Sequence, residues 1–184
     1  MKSWVTTILF AATIGIASAQ IVTSHDVTLR FFSSAPIEDI TALSNEGVSG
    51  LDFGSKSVYF RVAIRSFEFE KRLMQEHFNE NYMESSKYPY AEFRGFLNED
   101  VDLSTDGAFP ITVQGDLTIH NVTRNYTVKG QLKITGGKVT ANATFPVRLA
   151  DHQIKIPRLV IKNIAEVVEV TVSASYHPAS NQSR

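Results

Sequence analysis

The residues with the widest chemical reach in this chain are its histidines, His25, His77, His120, His152 and His177. No two of them lie close in sequence at a metal-ligand spacing, and there is no cysteine to complete a site. That excludes thiolate zinc and iron–sulfur centres, disulfides and a thiol nucleophile. The sequence contains no Gly-x-Ser-x-Gly elbow, no phosphate-cradling glycine loop and no paired-carboxylate motif. His77 has the most suggestive surroundings, because it shares an apolar stripe with Leu73 and Phe78. It reads either as a general base or as a hydrogen-bonded packing residue, the commoner role for such a histidine. His25-Asp26 reads as a polar strand start. Asn121, Asn125, Asn142 and Asn181 each open an Asn-x-Ser/Thr triplet, a glycosylation pattern short enough to arise by chance. The expectation is a protein with no catalytic residue, no metal and no cofactor.

Charge narrows the partners. Eighteen Lys and Arg stand against nineteen Asp and Glu, for a formal net charge of −1. A near-neutral chain lacks the electrostatic footprint of a nucleic-acid binder. The hydrophobic fraction, 43%, is ordinary for a globular domain, and 184 residues suit a single core.

The first residues stand apart. Met1-Lys2-Ser3 is followed by an apolar run from Trp4 to Ile16 and then by Ala17-Ser18-Ala19. This pattern predicts a secretory signal peptide over residues 1–19, cleaved before Gln20. The run is too short for a hydrocarbon core that needs about 20 apolar residues, and no second apolar segment approaches that length. The expected organisation is a leader and one domain over residues 20–184, periplasmic or secreted, with no membrane span.

Any site must be positioned by strands, because the dominant pattern has period two. Val58, Phe60, Val62 and Ile64 form one dry set. Ile111, Val113, Leu117 and Ile119 form a second, and Tyr126, Val128, Leu132 and Ile134 a third. Val139 to Leu149 and Val168 to Tyr176 continue the series, and weaker strands begin near His25 and Tyr88. Asn121-Val122-Thr123-Arg124 and Gly136-Gly137 separate consecutive runs as hairpin turns. A meander with one dry face covers that face most economically by closing on itself. The pattern therefore predicts an all-β protein, a closed antiparallel barrel of about eight strands. Pro36 to Glu46, with Ile37, Ile40 and Leu43, predicts a short helix. Glu70 to Tyr82, with Leu73, Met74, His77, Phe78 and Tyr82, predicts a second helix able to cap a barrel mouth.

Gly95, Gly115 and Gly130 occupy dry-face slots inside alternating strands. They either leave interior volume for a ligand or relieve strand coiling.

Three segments carry a family resemblance. Phe67 to Ser85 with Tyr88 to Gly95, Gly115-Asp116-Leu117-Thr118-Ile119-His120-Asn121-Val122-Thr123-Arg124, and Val167-Val168-Glu169-Val170-Thr171-Val172 occur in the order of the YceI-like family. The middle segment resembles that family's G-x-L-T-I-x-G-V-T-K/R hairpin, with Asn121 where the family has glycine; asparagine also tolerates a left-handed backbone. The helix segment is most similar to short Bacteroidetes members and lacks the R-D-x-H-L start and D-F-F-D end of the better-known branch. The resemblance implies a lipocalin-like, eight-stranded antiparallel barrel, periplasmic or secreted. It also implies a polyisoprenoid or isoprenoid quinone held inside without chemistry.

On that reading the ligand is a long apolar molecule, isoprenoid or lipid-like. The wall would be Phe60, Ile64, Phe93, Val113, Leu117, Val128, Leu132, Phe145, Val147, Val170 and Val172, and the cap Leu73, Met74, Phe78 and Tyr82. The alternatives are a stress-response or interaction module whose barrel is filled solid, and an extracytoplasmic enzyme using His77. The sequence leaves a homodimer open.

Overall fold

The computed structural model describes residues 21–34, 38–156 and 165–176. The expected leader over residues 1–19, His177 and the triplet at Asn181 lie outside them. Among the described residues no helix is long and apolar enough to cross a membrane.

The chain is all-β with one short helix. Its strands are β1 (Ile21–Ser24), β2 (Asp26–Ser33), β3 (Ile40–Ser44), β4 (Val48–Asp52), β5 (Ser57–Ala63), β6 (Glu68–Phe69), β7 (Tyr90–Leu97), β8 (Gly107–Ile119), β9 (Val122–Thr135), β10 (Lys138–Arg148) and β11 (Val167–Tyr176). They form one antiparallel sheet in the order β1-β4-β5-β7-β8-β9-β10-β11-β2-β3-β6. The sheet curls, so its dry faces converge on one core.

The long hairpins follow the alternation. β8 and β9 pair from Ile119↔Val122 to Gly107↔Ile134. The turn is His120-Asn121 alone, tighter than the four residues expected, and both residues have positive φ, 52° and 59°. That is the mirror-image turn whose twist matches flanking strands, and asparagine is among the residues that accept it. Gly136 and Gly137, φ 57° and 79°, make the same kind of connection between β9 and β10.

Two expectations are corrected. The sheet has eleven strands, not about eight, and among the described residues its line of ladders does not join end to end. The extra strands are β1, β3, β4 and β6, with four, five, five and two residues. Runs so short do not display a period. Where the ladders stop, side chains bridge the seam: Ser24 Oγ donates to Ser175 O at 2.6 Å, and Tyr176 meets Ser49 across 2.5 Å. Within the helix expected over Pro36 to Glu46 the chain instead forms strand β3 at Ile40–Ser44, with Ile40, Ala42 and Ser44 buried and Thr41 and Leu43 exposed. Its apolar residues fit both periods, and pairing with β2 decides for the strand.

The capping helix forms as α1 (Arg72–His77) and runs on into one wider π-type turn, Phe78–Tyr82. It has no side-chain N-cap and is too short to persist alone. Packing holds it: Phe78 stacks on Phe31 with centroids 5.6 Å apart and meets Phe67 and Phe69 at 5.8 and 5.0 Å.

The inward glycines resolve toward close strand approach. Gly95 lies opposite Gly115 in the β7–β8 ladder. A Cβ on Gly115 would run into Arg94 O and Gly95 Cα, and one on Gly95 would lie 2.9 Å from Gly115 Cα. A Cβ on Gly130 would lie 2.7 Å from Asn142 O. These glycines let backbones meet; none borders the interior cavity.

Candidate functional site

The curled sheet encloses a cavity of about 310 Å³. Its wall comes from the dry faces of the strands, and its helix end from α1, the π-type turn and the 3₁₀ turn Leu149–His152. Phe60, Ile64, Phe93, Val113, Leu117, Val128, Leu132, Phe145, Val147, Val170 and Val172 all line it. So do the cap residues Met74, Phe78 and Tyr82. Leu73 does not: it is 61% exposed, because the helix turns it away from the stripe that faces inward.

Residues beyond the expected set complete the wall. Phe31, Phe67 and Phe69 join Phe78 in an aromatic cluster at the helix end. Phe67 and Phe69 alternate around Glu68, a period-two signal only three residues long, and Phe31 lies in a strand whose start alone was legible. Leu29, Leu51, Leu97, Ile111 and Ile154 also border the space.

The lining is almost entirely hydrocarbon. Of its polar members, Ser33 accepts the Ala165 N–H at 2.9 Å, and the Glu92 carboxylate turns outward to Arg61 and Arg94. Burial pushes the Tyr82 phenol up, so it stays neutral at physiological pH. His77 is exposed where α1 borders the mouth. Such a surface gains about 0.8 kcal/mol for each ligand methylene it takes from water. Among the described residues no three metal-ligating side chains cluster.

His152 is fully buried beside this end, a role the sequence reading missed. Its Nδ1–H donates to Val122 O at 2.9 Å, which leaves Nε2 to accept from the Tyr126 hydroxyl at 3.1 Å. Tyr126 stacks on the same ring with centroids 5.9 Å apart. Burial pushes the imidazole pKa down and Tyr126 up. The neutral ring anchors the 3₁₀ turn whose Leu149 borders the cavity. His120 sits in the β8–β9 turn, with Nε2 2.9 Å from Glu84 Oε2 and its ring edge-on to Tyr88. It ties the hairpin tip to the chain that leaves the helix.

The model of the YceI-like domain matches residues 12–176. The chain belongs to the YceI-like family. Solved structures share the fold of this YceI-like chain at low sequence identity. A polyisoprenoid binding domain from Saccharophagus degradans, implicated in plant cell wall breakdown, superposes with a TM-score of 0.73 at 13% identity. The match covers 88% of this chain and 99% of that one. Burkholderia cenocepacia BcnA gives 0.67 at 13% identity, over 81% and 95% of the two chains. The Campylobacter jejuni YCEI protein gives 0.54 at 16%, over 95% and 97%. No curated protein matches this YceI-like chain in sequence.

Proposed function

We propose that this YceI-like protein is a periplasmic or secreted carrier that holds an apolar, isoprenoid or lipid-like ligand inside its barrel and performs no chemistry on it. The observation that carries the reading is the hydrocarbon-lined cavity of about 310 Å³, at the lower end of the size range of small-molecule sites. A barrel filled solid would not leave that space. The polyisoprenoid binding named for the Saccharophagus degradans relative supports the ligand class. The leader pattern read in residues 1–19 supports delivery outside the cytoplasm, and the side-chain bridges across the seam support a wall that is closed to solvent. Binding rests on apolar burial, with no charged anchor among the lining residues whose bonding is described above.

The test is organic extraction of protein purified from its native compartment, followed by mass spectrometry. An apolar compound in near-stoichiometric amount is expected. Protein that carries none, and takes up none when offered apolar chains, would reject the proposal.

A further inference from the structure

The cavity stops at one level across neighbouring strands. On β2, β10 and β11 the inward residues nearer the helix border it, as do Val128 and Leu132 on β9, whereas the next ones beyond, Val27, Ile134, Val139 and Ala174, do not. Those four are 1–3% exposed, so they pack as a layer. Val139 lies opposite Ile134 on one side and opposite Tyr176 on the other, which puts the three in one row across the wall. Tyr176 is fully buried and reaches from β11 to β4. There its hydroxyl donates to Ser49 Oγ at 2.5 Å, and Ser49 Oγ donates onward to Tyr59 O at 3.1 Å. The ring is therefore fixed across the seam that no ladder closes. A row of side chains at interior packing density leaves no passage for a chain. At the other end the lining includes the exposed His77 and the half-buried Met74.

The geometry points to a blind pocket that takes one end of an apolar chain, roughly a dozen carbons, and leaves the rest of any longer ligand outside past the helix. This rests on the carrier reading and adds its length limit. A cavity of ~150 Å³ holds one benzene, so about twice that volume has room for about twice those carbons. The floor row of Ile134, Val139 and Tyr176 sets the limit.

Pairwise competition among hexanol, octanol, decanol, dodecanol, tetradecanol and hexadecanol at equal free concentration, read by native mass spectrometry, tests it. Each step of two methylenes should favour the longer alcohol about fifteenfold while the chain is still being buried. From dodecanol onward the preference should fall to about twofold or less. Val139→Ala should move the plateau one alcohol longer, and Ile134→Ala serves if that variant does not fold. If neither folds, the wild-type profile decides alone. Affinity that keeps climbing through hexadecanol overturns the length limit and leaves the carrier reading intact. A plateau that stays in place in folded floor variants overturns the assignment of the floor. Failure of every alcohol to bind overturns the carrier reading itself.

Discussion

At the β9–β10 hairpin end, strands of 14 and 11 residues run in register, and their inward side chains fill the space without further devices. At the helix end the closure is assembled from short pieces: β6 with two residues, α1 with six, and the 3₁₀ turn Leu149–His152. Each piece is too short to hold its shape alone, and each is pinned by particular contacts. Phe31, Phe67 and Phe69 hold Phe78 at the end of α1, hydrogen bonds hold the buried His152, and Arg65 donates from Nη2 to Ser86 at 2.6 Å. Continuous ladders unfold together, whereas pieces held by a few contacts open at lower free energy. The contrast sets a floor of continuous ladders opposite a cap held by a few contacts.

The largest effect should come from the laddered wall. Gly115→Leu forces a Cβ into the backbone of Arg94 and Gly95, which has no flexible end to move aside. The cost should be about 3 kcal/mol or more, the upper range of overpacking. A urea midpoint close to that of the wild type would mean that β7 and β8 can separate here without breaking the wall.

Phe78→Ala probes the cap. It removes one ring from the cluster of four and should cost about 2–3 kcal/mol, less than a fully buried phenylalanine because Phe78 is only partly buried. The damage should be local. Amide exchange should speed up over residues 71–83 while β8, β9 and β10 keep their protection. Uniform loss across the sheet would show that cap and wall unfold as one unit.

The same contrast explains what the sequence made legible. The period-two runs of β5, β8, β9, β10 and β11 were readable because each has enough residues to show alternation, and they supplied ten of the eleven expected wall residues, Phe93 on β7 being the other. The short strands were not, and with them went Phe69 and the identity of Ile40–Ser44; Phe31 was missed because the adjacent Phe31-Phe32 pair breaks the alternation of β2. A short run such as Ile37, Ile40 and Leu43 fits either period until a partner strand is known. The glycines stood out as gaps in the alternation, but their reason lay in the opposite backbone, which spacing within one strand does not reveal. His152 was unreadable for the same reason, since Val122 and Tyr126 lie on another strand.

Acid should loosen the cap before the wall. Burial pushes His152 below its ordinary 6.5, so between that value and the folded one the unfolded chain binds a proton that the folded chain refuses. Stability from this group is whole above pH 6.5 and falls as the pH drops below it. Arg124 works in the same direction, and Asp151 and the carbonyls of Val122 and Ile119 work against it. Asp52, Glu99 and Asp102 also lose stabilising bonds in acid, but only lower, because hydrogen bonds hold them below their ordinary 3.8, 4.5 and 3.8. His152→Gln should therefore flatten the decline just below pH 6.5 and leave the decline at lower pH in place. Parallel melting profiles for the variant and the wild type across that upper window would remove His152 from the account.

The smallest effect separates two neighbours on the helix. Leu73 is 61% exposed and outside the cavity, whereas Met74 is half-buried and lines it. Leu73→Asn should change stability by no more than about 0.5 kcal/mol, the range for surface positions, and leave ligand affinity unchanged. Met74→Asn replaces apolar surface at the mouth with an amide that must be desolvated when a chain enters. Partial burial of a methionine is worth about 1 kcal/mol, so affinity should fall about fivefold. Melting curves together with decanol binding for both variants give the comparison. Equal losses of affinity would mean that α1 rotates when the pocket fills and swings Leu73 over the mouth, so that the cap of the loaded protein presents a different face from the one described here.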